Sequence, residues 1–134
     1  MELPKARVAL DAALAYADTL GVRVSCCVVD GAGHEVLTAR MPGAFWFTPG
    51  VARAKARTAV AMGMDSGDVA ALATAYPALM PVIDEQLPFT LTTLGGGLVV
   101  RDGDAVRGAI AVSGATPEQD VECARVAVAA AAAH

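Results

Sequence analysis

Lys55 is the residue whose spacing most suggests chemistry. It lies in a helical stretch that Thr48-Pro49 opens, with Thr48 read as the N-cap and Pro49 as the first helical residue. Arg53 and Arg57 are four residues apart and share one face of that helix. Lys55 falls on the other side, among Ala52, Thr58, Ala59 and Met62. An ammonium on an apolar face must find an acceptor. That acceptor is either a carboxylate such as Asp30 or Asp120, or the carboxylate or phosphate of a ligand. In the second case Lys55 is a binding residue, or in an enzyme the acid/base or electrostatic stabiliser.

Three further groups carry weight. Gly95, Gly96 and Gly97 form a triplet that lacks the spacing of a nucleotide loop and opens no helix. It is either a sharp bend between strands or a place where a ligand meets bare backbone. Phe45, Trp46 and Phe47 are consecutive and hold three of the six aromatic residues. They cannot all face one core, so at least one is expected at a pocket or a subunit contact. His34 is either a surface imidazole or an axial ligand to a haem or corrinoid metal. His134 ends the chain. No nucleophile elbow surrounds Ser113, and two histidines distant from any Ser or Cys give a catalytic triad no support.

The elements that must position these residues follow from periodicity and punctuation. Residues 4–20 read as a helix, with Leu10, Leu14, Ala17 and Leu20 at helical spacing and Gly21 as its stop. Residues 22–30 and 34–40 read as a hairpin around Gly31-Ala32-Gly33. The Lys55 helix runs to Met62 and ends at Gly63. Ser66 is expected to cap a short helix reaching Tyr76, with another turn or two over residues 77–86. Residues 89–94, 98–101 and 105–113 read as three strands, the last two joined at Asp102-Gly103. Thr116-Pro117-Glu118-Gln119 is a capping box that opens the last helix. The chain is therefore expected to be one α+β domain over residues 1–134, with a five-stranded antiparallel sheet between helices.

Composition bounds the function. A net charge of −4 and a pI near 5.0 argue against nucleic acid. The longest apolar run, residues 126–133, is too short to span a bilayer, and residues 1–7 have no apolar signal core. A cytoplasmic location is the expectation. The cysteines, Cys26, Cys27 and Cys123, form no C-x-x-C pair. Cys26 and Cys27 on a strand point to opposite faces, and all three read as small buried hydrophobes in a reducing compartment. With 55% hydrophobic and 18% charged residues, the excess apolar surface is expected at the interface of a homo-oligomer.

The motifs resemble the GlcG/HbpS family along nearly the whole chain and in the family's order. They are Val28-Val29-Asp30, Gly33, Arg40-Met41, Lys55-Ala56, Thr58-Ala59 and Leu94-Gly95-Gly96-Gly97-Leu98, then Arg101-Asp102-Gly103, Gly108-Ala109-Ile110-Ala111-Val112-Ser113-Gly114 and Glu118-Gln119-Asp120. The resemblance implies a haem-degrading-type domain related to the C-terminal domain of PduO-type corrinoid adenosyltransferases. It also implies a profilin-like fold with five strands flanked by helices on both sides, and homo-oligomers. The implied function is binding of an anionic small molecule, with haem or a corrinoid as candidate cofactors, or an enzyme that acts on a small organic acid or degrades haem. Pro42 and Gly95 stand where the family commonly has Asp and Pro. The Phe45-Trp46-Phe47 run replaces a smaller or more polar stretch, which implies a pocket for something smaller or flatter.

Overall fold

The computed structural model describes residues 1–134. Helix α1 (Leu3–Thr19) leads into strands β1 (Ser25–Asp30) and β2 (Glu35–Arg40). Helix α2 (Thr48–Met62), a 3-10 turn (Ser66–Asp68), α3 (Val69–Ala75) and α4 (Leu79–Gln86) follow. Strands β3 (Gly97–Asp102) and β4 (Ala105–Ser113) and helix α5 (Pro117–Ala133) complete the chain. The strands form one antiparallel sheet in the order β2-β1-β4-β3.

The sheet has four strands, not the expected five. Phe89 lies in a bend, and residues 90–94 form no regular element and pair with no strand. Their amides find side-chain acceptors instead. Leu91 N donates to Asp84 Oδ1 at 2.8 Å, Thr92 N to Thr58 Oγ1 at 3.2 Å and Leu94 N to Thr92 Oγ1 at 3.2 Å. The free edge of β3 is covered in the same way. Gly97 N donates to Ser66 Oγ at 2.9 Å, and Val99 N to Asp65 Oδ1 at 3.0 Å. A backbone amide needs a partner, and any acceptor in reach will serve.

Period-two alternation along β1 and β4 builds two cores. Cys26, Val28, Ile110 and Val112 face α1 and α5, while Cys27, Val29, Ala109 and Ala111 face α2. The two adjacent cysteines thus fall on opposite faces, as their spacing requires. Fully burying a side chain such as Ile110 or Val112 contributes roughly 1.5–3 kcal/mol. The alanines of α5 are used within the chain. Ala124, Ala127 and Ala131 pack in one core with Ala6, Ala9, Ala13 and Ala17 of α1, and the absence of bulk lets the two helices approach closely.

The helix ends follow the sequence except at Thr48 and Ser66. Gly63 adopts φ +64° and stops α2. Thr116 and Gln119 form the expected capping box on α5. Thr48 does not cap α2. Phe47 occupies the cap position, and Thr48 Oγ1 lies 2.8 Å from both the Phe45 carbonyl and Ser25 Oγ. Its hydroxyl fastens the start of α2 to β1. Ser66 likewise caps nothing, because its hydroxyl donates to the Leu94 carbonyl at 2.6 Å.

Candidate functional site

Lys55 is buried at 2% exposure in the middle of α2. Its ammonium donates to Val112 O on β4 and to Asp120 Oδ2 in the first turn of α5, each at 2.9 Å. Asp120 Oδ1 in turn accepts from Ala115 N at 3.0 Å. Asp120 therefore receives a lysine and a backbone amide at a helix start, where a negative charge is favoured. Of the two carboxylates the sequence offers Lys55, the fold chooses Asp120. Burial pulls the Lys55 pKa below the usual ammonium range, against the opposing attraction of Asp120. Two of the three N–H donors of Lys55 have protein acceptors, so one remains.

The glycine triplet packs against this pair. A Cβ on Gly96 would lie 2.6 Å from Val112 O and 3.0 Å from Lys55 Nζ. Gly96 also holds φ +123°, which side chains rarely adopt. A Cβ on Gly97 would lie 2.6 Å from the Lys55 carbonyl. Gly96 and Gly97 are buried, and their backbone groups are in use: Gly96 O accepts from Val112 N at 3.0 Å, and Gly97 N serves Ser66. The triplet is the close-packed floor behind Lys55 and does not line an open groove.

The aromatic run lies above that floor. Phe45 and Phe47 stack with centroids 5.4 Å apart, and Trp46 meets Phe47 edge-on at 5.9 Å. None of the three is a core plug, since Phe45 is 66%, Trp46 85% and Phe47 48% exposed. A groove of about 340 Å³ runs between Phe45, Phe47 and Leu94 on one side and Ser113, Lys55 and Asp120 on the other. A second groove of about 450 Å³, walled by Trp46 and Leu91, adjoins it and shares Phe47, Val51 and Leu94. Both volumes fall in the range of small-molecule sites. Neither wall contains a His, Cys, Met or Tyr.

His34 lies elsewhere. It follows the β1–β2 turn, exposed, with Nδ1 3.8 Å from Asp30 Oδ2. The cleft it lines has no residue in common with the two aromatic grooves. Asp30 is held below the usual carboxylate range, chiefly by the His34 amide at 2.9 Å and also by the Ala32 amide at 3.0 Å. No cluster of three or more His, Cys, Asp or Glu side chains is placed to hold a metal ion, and no helix is long and apolar enough to cross a membrane. Sequence reasoning left Ser113 and Leu94 out of the groove wall. No local signal marks them, because Ser113 ends β4 and Leu94 lies three residues before β3, and only the fold brings the two together.

Similarity to known proteins covers the whole arrangement. Residues 1–129 match the family described as haem degrading protein HbpS-like. Over 120 residues the chain is 36% identical to the corrinoid adenosyltransferase PduO of Salmonella typhimurium. That match takes in 89% of this chain but 35% of the relative, so the chain spans about a third of its length. A crystal structure of a PduOC:heme complex superposes with a TM-score of 0.84 at 29% identity, covering 97% of this chain and 94% of the other. A double mutant of Streptomyces reticuli HbpS gives 0.86 at 32% identity, over 96% and 85% of the two chains. This chain belongs to the HbpS-like family.

Proposed function

We propose that this chain is a small-molecule-binding domain whose ligand is a flat, anionic organic molecule of the haem or corrinoid class. The observation that carries this reading is the pair of adjoining grooves beside the stacked Phe45 and Phe47, above the Lys55–Asp120 pair. The likeness to a haem-complexed structure supports it. Exposed aromatic faces suit the face of a macrocycle. Lys55, with one N–H left over, is the polar handle at the inner end, and Gly96 and Gly97 hold it there. Asp120 already neutralises Lys55, so the lysine orients an anion more than it attracts one. The grooves set apolar walls beside the stacked rings and hold no imidazole, thiol or thioether, and His34 is outside them. Hemin titration followed at the Soret band tests the reading. Binding that weakens in Trp46→Ala and Phe45→Ala and persists in His34→Ala is the expected result. Loss in His34→Ala alone would transfer the site to the other cleft.

A second reading has its own observation. A buried lysine with a depressed pKa is suited to proton transfer, which makes an enzyme acting on a small organic acid, or degrading haem, the rival. Turnover of such a substrate, lost in a folded Lys55→Met variant, would establish it.

The same reading includes self-association in the cytoplasm. Helix α4 buries no residue although it carries Leu79, Val82 and Ile83, and Trp46 and Leu94 are exposed. Such a surface is characteristic of subunit contacts. The three free, buried thiols suit a reducing compartment. Native mass spectrometry of freshly purified protein reads subunit number and any retained ligand together. A mass of 13.5 kDa at micromolar concentration would refute the oligomer.

A further inference from the structure

The two arginines on the outer face of α2 have different surroundings. Arg53 reaches Glu35 Oε2, with Nε and Nη2 each at 3.1 Å. Arg57, one turn later, is half-buried and makes no hydrogen bond or ion pair. It opens onto a cleft of about 300 Å³ lined also by His34, Val60, Pro88 and Phe89. The carboxylates nearby are engaged. Glu35 is held by Arg53 and the Thr38 hydroxyl, and Asp30 by the amides of Ala32 and His34.

With no protein acceptor, the half-buried Arg57 guanidinium has only water as its partner, and a carboxylate can replace that water. Its fork of donors matches a carboxylate in two parallel hydrogen bonds. His34 stands at the same cleft as a second polar group, while Val60, Pro88 and Phe89 make the rest of the wall apolar. The volume is at the small end of ligand sites. It suits one flat ring bearing one acid group.

We propose that this cleft is a second ligand site, which takes a small aromatic carboxylate with its acid group on Arg57 and its ring against Phe89. His34 closes the polar end as a hydrogen-bonding group. The site is separate from the aromatic grooves and does not depend on what they bind.

Benzoate titrated into the ¹⁵N-labelled full chain tests the proposal, with benzamide as the neutral isostere. Saturable shifts are expected at the amides of Ala32, Gly33, His34, Val60 and Ala61. Benzamide should bind about tenfold or more weakly, since a hydrogen bond to a charged group is at stake. Arg57→Gln should weaken benzoate by a similar factor with an unchanged melting temperature, and Arg57→Lys should fall between. Equal binding of benzamide, or an unaffected Arg57→Gln variant, would overturn the site. So would shifts confined to Trp46, Gly50 and Val51, which would place benzoate in the aromatic groove.

Discussion

Lys55 Nζ lies 2.9 Å from Asp120 Oδ2, across 65 residues of sequence, with both side chains almost wholly out of solvent. With the Val112 carbonyl as the third member, one ammonium joins α2, β4 and the first turn of α5. The contact sits between the core faced by α2 and the groove under Phe45. It is therefore both a fold element and the inner wall of the candidate site.

Removing one member should be far worse than removing both. Lys55→Met or Asp120→Leu alone leaves a buried charge unpaired and should cost about 3–5 kcal/mol. The double variant should be clearly more stable than the sum of the single losses implies. Urea denaturation of the four proteins measures the difference, and simple additivity would show that the pair is not coupled.

Gly96→Ala should destabilise the chain by roughly 1–3 kcal/mol from backbone strain alone, with the clash against Val112 O added. Gly50→Ala, on an exposed face of α2 with nothing within 4 Å of its Cβ, is the matched control and should be neutral or stabilising. Thermal melts of both decide the point. Equal effects would mean that the floor behind Lys55 yields easily.

Acid should weaken the fold through Asp30 and Glu35. Asp30 is held below its ordinary value of 3.8 chiefly by the His34 amide, and Glu35 below 4.5 chiefly by the Thr38 hydroxyl. A carboxylate with a depressed native pKa binds fewer protons folded than unfolded. Its contribution is complete above the ordinary value and is lost as pH falls through the native one. Asp30→Asn keeps an acceptor for the two turn amides but not the charge, so its melting temperature should fall less steeply below about pH 4. An unchanged acid slope would remove Asp30 from the account.

The thiols should be silent in the native protein. Burial pushes Cys26 well above the usual thiol range, raises Cys27 and lifts Cys123 to about 11. With all three enclosed, an aromatic disulfide reagent at mildly alkaline pH should report no reactive cysteine until denaturant is added, and then three. Fast reaction of any one in native buffer would mean that its core opens locally.

What the sequence determined by itself was local. The extents of α1, α2 and α5, the β1–β2 and β3–β4 hairpins, the stop at Gly63, the capping box at Thr116 and the opposite faces of Cys26 and Cys27 all rest on signals a few residues apart. The inward side of Lys55 was legible in the same way. Tertiary structure decided which acceptor that lysine meets, because Asp30 and Asp120 are equally plausible until α5 is docked. It also decided that residues 89–94 form no strand, because Asp84, Thr58 and Thr92 supply acceptors that no strand pattern records. The aromatic run lies outside the core because the facing positions of β1 and β4 are already filled by alanines from α1, α2 and α5. Period and punctuation encode the path of the backbone. The partner of a buried charge, and the cleft on which an imidazole opens, depend on contacts between residues far apart in the chain.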